Sequence, residues 1–108
     1  MNTEINNYLN HIVNNFEKFY GVVGSANGSD YVDNRVAEFK AKIRVEEGNK
    51  FIKVITDSSV HSFIVIADTG KFKKGDILKA NSWKAPAKNF ARGNIINNDY
   101  NNVRWTGA

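Results

Sequence analysis

Cysteine is absent from this chain of 108 residues. That excludes disulfides, thiolate metal sites and a cysteine nucleophile. No apolar run is long enough to cross a bilayer. Residues 1–10 carry no basic stretch followed by an apolar block, so no secretory signal is expected. The catalytic signatures are missing too. No Walker ending follows the glycines of residues 21–34, and no nucleophile elbow surrounds a serine. Two lone histidines, His11 and His61, without cysteines or paired acids predict no metal site and no cofactor. Asp57, Asp68 and Asp76 sit in predicted turns, and no carboxylate pair suggests general acid–base work. Together these absences point to a protein that is not an enzyme.

What is present is an ordinary globular composition, 42% hydrophobic, with a formal net charge of +4. The length suits one domain, residues 1–108, large enough to bury a core without staples. The mild basicity favours anionic partners, with solubility as the plainer explanation. Asparagines are frequent but scattered through patterned segments rather than gathered in a low-complexity tract.

Ile5, Tyr8, Leu9, Ile12, Val13, Phe16, Phe19 and Tyr20 recur at helical steps and predict one long amphipathic helix. Thr3 is its expected N-cap and Gly21 its expected stop. The polar residues between them, Asn15 and His11 among them, are expected to face water. The apolar stripe should dock on a sheet of the same chain. A partner subunit is the alternative dock, which leaves a homo-oligomer open. Residues 21–34 read as a glycine-rich connector. From Val36 the period becomes two: Ala37, Phe39, Ala41, Ile43 and Val45 alternate with Glu38, Lys40, Lys42, Arg44 and Glu46, predicting a strand over 36–46 with one charged face. On that face Lys40, Lys42 and Arg44 would form a basic row able to grip a phosphate backbone. Residues 51–56 and 60–67 predict two further strands, the second apolar on both faces and therefore central. A short fourth strand follows at Ile77 and Leu78, and Val103–Thr106 reads as a last one. Pro86 and Gly93 bracket a predicted helix of about two turns. The expected class is α+β: an antiparallel sheet of four to five strands, packed by one long N-terminal helix, plus a short helix in the C-terminal half.

The chemistry concentrates near that short helix. Lys88 and Arg92 share one side at i and i+4, Lys84 lies just upstream, and Trp83 offers a flat ring beside the charges. Small Ala85 and Ala87 leave room for close approach. Charge for a phosphate beside a ring for a base is what a nucleotide or nucleic acid requires. The plainer reading pins Trp83 and Phe90 to the sheet and leaves the cations solvated. Asn94, His61 and Arg104 complete the candidate ligand-binding set of Trp83, Lys84, Lys88, Arg92, Asn94, Arg104 and His61. Arg104 and Trp105 repeat the cation-beside-ring pairing, but neighbours on a strand point to opposite faces and would not serve one surface. A Ser58–His61–Asp57 triad lacks any supporting pattern, and His61 reads equally as a hydrogen-bonded structural residue.

The stretches Ser59-Val60-His61-Ser62-Phe63-Ile64-Val65, Phe72-Lys73-Lys74-Gly75-Asp76-Ile77-Leu78-Lys79-Ala80 and Ser82-Trp83-Lys84-Ala85-Pro86-Ala87-Lys88-Asn89-Phe90-Ala91-Arg92-Gly93-Asn94-Ile95, with the closing Val103-Arg104-Trp105-Thr106-Gly107-Ala108, resemble a family of small tailed-bacteriophage proteins of unknown function. The Ser-Trp-Lys-Ala-Pro-Ala-Lys core is its most specific part. The N-terminal helix and the asparagine-rich loops lie outside it. The resemblance implies a protein of the host cell cytoplasm but no mechanism. Small phage accessory proteins often act on host machinery or host immunity, an analogy only. Two functions are therefore expected. The first is a non-enzymatic phage accessory protein binding an anionic ligand, a nucleotide or nucleic acid, and thereby countering host defence. The alternative is a protein–protein inhibitor of a host enzyme or defence protein.

Overall fold

The computed structural model describes residues 1–23 and 29–108. The first helix, α1 (Asn2–Val23), buries Tyr8, Ile12, Val13 and Phe16 as the stripe requires. It begins one residue before Thr3, which is therefore not its cap, and it runs through Gly21. A glycine inside a helix costs about 1 kcal/mol but forbids nothing.

The largest departure from the sequence reading follows. Residues 24–28 of the expected connector lie outside the described residues. Residues 29–42, expected as connector and then strand, form a second helix, α2 (Ser29–Lys42). Ala, Glu and Lys are good helix formers, and an alternating stretch of this composition also fits a helix. Phe39 and Ile43, four residues apart, pack on the core while Ala37 and Ala41 are exposed. Phe39 stacks on Phe16 at a centroid distance of 4.2 Å and 6°. The basic row is thereby dissolved. Lys40 and Lys42, two residues apart on a helix, point to opposite sides. Arg44 instead turns its guanidinium to the Lys42 and Asp57 carbonyls.

Five strands form one antiparallel sheet in sequence order: β1 (Arg44–Glu47), β2 (Phe51–Thr56), β3 (Ser59–Val65), β4 (Asp76–Lys79) and β5 (Gly93–Asn94). β3 is central, and its residues 61–65 are all buried, as its unbroken apolar character predicts. The two faces follow the two-residue alternation. Ile52, Val54, Ile64 and Ile77 face α1 in a core completed by Ile95 and Val103. Phe63, Val65 and Leu78 face the other way, with Phe72, Phe51 and Ala91 around them.

A β-bulge breaks the alternation once. Val54 pairs with Ser62 but Ile55 pairs with Val60, so His61 is the extra residue. The bulge brings both His61 and Ser62 toward α1, where Tyr8 donates to or accepts from the Ser62 hydroxyl at 2.8 Å and stands edge-on to the imidazole at 6.1 Å.

Residues 82–92 contain no helix. Their backbone is drawn out along β4: Ala80 bridges Pro86, Ala87 N–H donates to the Lys79 carbonyl at 2.8 Å, and Arg92 N–H to the Ile77 carbonyl at 2.7 Å. Two helical turns alone are marginal in water, whereas bonds to an open strand edge are available here. The predicted last strand, 103–106, is also replaced. Arg104 and Gly107 exchange backbone bonds at 3.0 and 3.1 Å around a tight turn. No described helix is long and apolar enough to cross a membrane.

Candidate functional site

The extended path of residues 82–92 lays a polar and aromatic layer over the sheet face opposite α1. Pro86 is buried and Ala91 packs on the Phe63–Leu78 cluster, which anchors the segment at both ends. Trp83, three residues before Pro86, stays 45% exposed. The ammonium of Lys53, from β2, lies 4.9 Å from the indole centroid. Lys84 and Lys88 are exposed, and the Lys88 ammonium lies 5.9 Å from the ring of Phe51. A concavity of about 310 Å3 is lined by Lys50, Phe51, Lys53, Phe63 and Lys84, with Glu46 and Glu47 also on its wall. Cations thus lie beside ring faces contributed by two segments, Lys53 by Trp83 and Lys88 by Phe51. The helix expected to carry Trp83, Lys84, Lys88 and Arg92 does not form. The i, i+4 pairing of Lys88 with Arg92 falls with that helix. Arg92 lays its guanidinium 4.0 Å from the centroid of Phe90, itself 55% exposed. Its Nε is buried without a hydrogen-bond partner among the described residues.

Lys50, Phe51 and Lys53 were missed. The signal was present in β2: alternation puts Phe51 and Lys53 on the face opposite Ile52 and Val54, the face that residues 82–92 approach.

The remaining candidates lie elsewhere. Asn94 is buried and spends its whole amide on the fold. Its NH2 donates to the Lys74 carbonyl and to Asp76 Oδ1, and its Oδ1 accepts from the N–H groups of Ile96 and Asn97. That is the full donor and acceptor complement of the group.

His61 is 4% exposed. Its Nε2 lies 2.6 Å from the Arg104 carbonyl and its Nδ1 lies 2.8 Å from Ser62 Oγ. A carbonyl only accepts, so Nε2 carries the proton and Nδ1 accepts from the serine hydroxyl. Ser62 in turn accepts from Tyr8 O–H. The neutral tautomer is also what burial favours. Desolvation lowers the His61 pKa below its ordinary value, against the opposing pull of the Arg104 carbonyl, with a smaller lowering from His11. Burial likewise raises the Tyr8 phenol, partly offset by its Ser62 bond. A serine donating to an imidazole is the first half of a nucleophile. Here the serine has no exposed surface and the imidazole's second bond goes to a main-chain carbonyl rather than a carboxylate. Asp57 and Ser58 stand exposed in the β2–β3 turn, Asp57 facing Lys42 at 3.6 Å, and neither is bonded to His61.

Arg104 is exposed on the α1 side of the sheet, away from Trp83. Because residues 104–107 turn rather than extend, Arg104, Trp105 and Thr106 line one concavity together, contrary to the strand-based expectation. His11 and Asn15, expected in water, are half-buried and bonded to this turn.

The whole chain, residues 1–108, matches the family of unknown function DUF7717, and the protein belongs to that family. The match includes the N-terminal helix, α1. The chain matches no curated protein. It matches no solved structure.

Proposed function

We propose that this protein is a non-enzymatic phage accessory protein that holds an anionic, base-bearing ligand, single-stranded nucleic acid, across the Trp83 surface. The observation that carries the reading is a half-exposed indole with the Lys53 ammonium 4.9 Å from its centroid, where Lys53 also lines a concavity with Lys50 and Lys84. An open surface with cations spread over two elements suits a strand, whose phosphates recur, better than a lone nucleotide. The phage setting rests on the motif resemblance, and a role against host defence is the use that setting suggests.

Fluorescence polarisation of a labelled single-stranded oligonucleotide tests the proposal. Stacking on one ring is worth about 1–3 kcal/mol, so Trp83→Ala should weaken binding roughly five- to a hundredfold. Log affinity should fall with log salt at a slope of about −0.7 for each phosphate contacted, and the slope should flatten in Lys53→Ala/Lys84→Ala. Absence of binding by the wild type at low salt, or affinity unchanged in these variants, rejects the proposal.

One observation favours a host-protein target instead. Trp83 and Phe90 are both well exposed and Arg92 covers Phe90, and Trp and Arg are enriched at protein–protein hot spots. A stoichiometric protein partner that survives nuclease and high salt, and is lost in Phe90→Ala, supports that reading.

A further inference from the structure

We infer that the concavity between α1 and the 104–107 turn is a second ligand site, and that it takes a nucleoside phosphate. It has a volume of about 450 Å3 and is lined by Asn15, Lys18 and Phe19 from α1 and by Arg104, Trp105 and Thr106 from the turn. Among the described residues, two rings, two cations and two small polar groups line it and no carboxylate does. On the other side of Arg104, a neighbouring concavity of about 400 Å3 adds Lys79. Among the described residues, Lys18, Lys79 and Arg104 form no ion pair.

The site is held in shape by side chains from far along the chain. Three successive backbone groups of the turn are each fixed by a different residue. His11 Nε2 donates to the Val103 carbonyl at 2.8 Å, His61 Nε2 to the Arg104 carbonyl at 2.6 Å, and Asn15 Oδ1 accepts from Trp105 N–H at 2.8 Å. The Trp105 indole is wedged edge-on against Phe16 at 5.0 Å. Arg104 and Trp105 therefore leave a rigid base, and ordering them on binding costs little. Anchoring the chain end explains Trp105 and the three bonds. It does not explain why Phe19, 5.4 Å from the indole, is left 45% exposed in a concavity shared with Lys18 and Arg104, neither ion-paired among the described residues.

The chemistry follows from the groups. The guanidinium of Arg104 presents parallel N–H donors to a phosphate, and Lys18 adds a point charge. Phe19 and the exposed part of Trp105 offer ring surface to the base. Asn15 has used its oxygen on Trp105 N–H and keeps its NH2 to donate. The site is separate from the Trp83 surface and does not depend on it.

Trp83→Phe leaves Trp105 as the only indole, since the chain has two tryptophans. In that background, titration with adenosine 5′-monophosphate should quench Trp105 fluorescence saturably and shift its indole N–H resonance. Adenosine and inorganic phosphate, each alone, should bind at least about tenfold more weakly, each lacking one half of the contact. Arg104→Ala should cost about ten- to a hundredfold in affinity. It should fold, because its backbone carbonyl and not its guanidinium makes the structural bond; Lys18→Ala offers an independent loss. Absence of saturation at millimolar nucleotide, equal affinity for phosphate alone, or titrations unchanged in both variants overturns the inference. Binding that appears only with a 5′-phosphorylated oligonucleotide and not with the mononucleotide also overturns it.

Discussion

Replacing Ser62 by alanine should damage the fold far more than the loss of one hydroxyl suggests. Ser62 has no exposed surface and sits 2.8 Å from both Tyr8 OH and His61 Nδ1. The alanine variant leaves a buried phenol without an acceptor and a buried imidazole nitrogen without a donor. Each orphaned group costs about 1–3 kcal/mol, so the pair should cost about 3 kcal/mol. Tyr8→Phe removes one bond but leaves Ser62 donating to His61, and should cost only about 1 kcal/mol. In the double variant the phenol is no longer orphaned, so the two losses should fall short of additive by about 1 kcal/mol. Urea unfolding followed by circular dichroism reads all three. At this chain length a 3 kcal/mol loss also lowers Tm by on the order of 10 °C. A Ser62→Ala protein within about 0.5 kcal/mol of the parent, or strict additivity in the cycle, would refute the relay from Tyr8 through Ser62 to His61.

The same relay sets a pH dependence. The His61 pKa is lowered in the folded state below its ordinary 6.5, so the unfolded chain binds the proton more readily. The His61 contribution is intact above that value and is lost as pH falls below it, with a slope of at most about 1.4 kcal/mol per pH unit. Unfolding curves collected from neutral pH downward should show a loss in the parent that is smaller in His61→Gln; parallel curves would sink the assignment of a neutral buried imidazole. Gly93→Ala tests the β4–β5 corner. A Cβ there would collide with the Asp99 carbonyl oxygen, and Asn94 and Asp99 also exchange backbone bonds at 2.8 and 2.9 Å. The variant should lose more than about 2 kcal/mol, and a protein that melts with the parent would contradict the packing at that corner.

Much of the scaffold was legible because its signals are local. The α1 stripe from Tyr8 to Phe16, the bounds of β2 and the burial of β3 all follow from side-chain periods that a short window contains. The Trp83 surface was half legible. The ring and Lys84 and Lys88 were named from residue types set close together around Pro86, while Lys53 and Phe51 come from a strand thirty residues earlier in the chain and become neighbours only through the sheet. His61 was found as a residue but not as a member of the relay, because the one-residue bulge that turns it toward Tyr8 leaves no mark on the sequence pattern.

By itself the sequence determined the α+β class, the long amphipathic helix, the central place of β3 and the absence of thiol chemistry, since each depends on residue type and spacing alone. Tertiary structure decided the rest. Residues 36–42 fit both periods, and the helix is the form that packs Phe39 and Ile43 on the core, with Phe39 stacked on Phe16. Residues 82–92 have helix signals too weak to stand alone, and the free edge of β4 bonds their backbone in extended form. The 103–107 segment is shaped by His11, Asn15 and His61, side chains whose positions no local pattern contains. Where local preferences are nearly balanced, the burial and hydrogen bonding offered by distant residues settle the conformation.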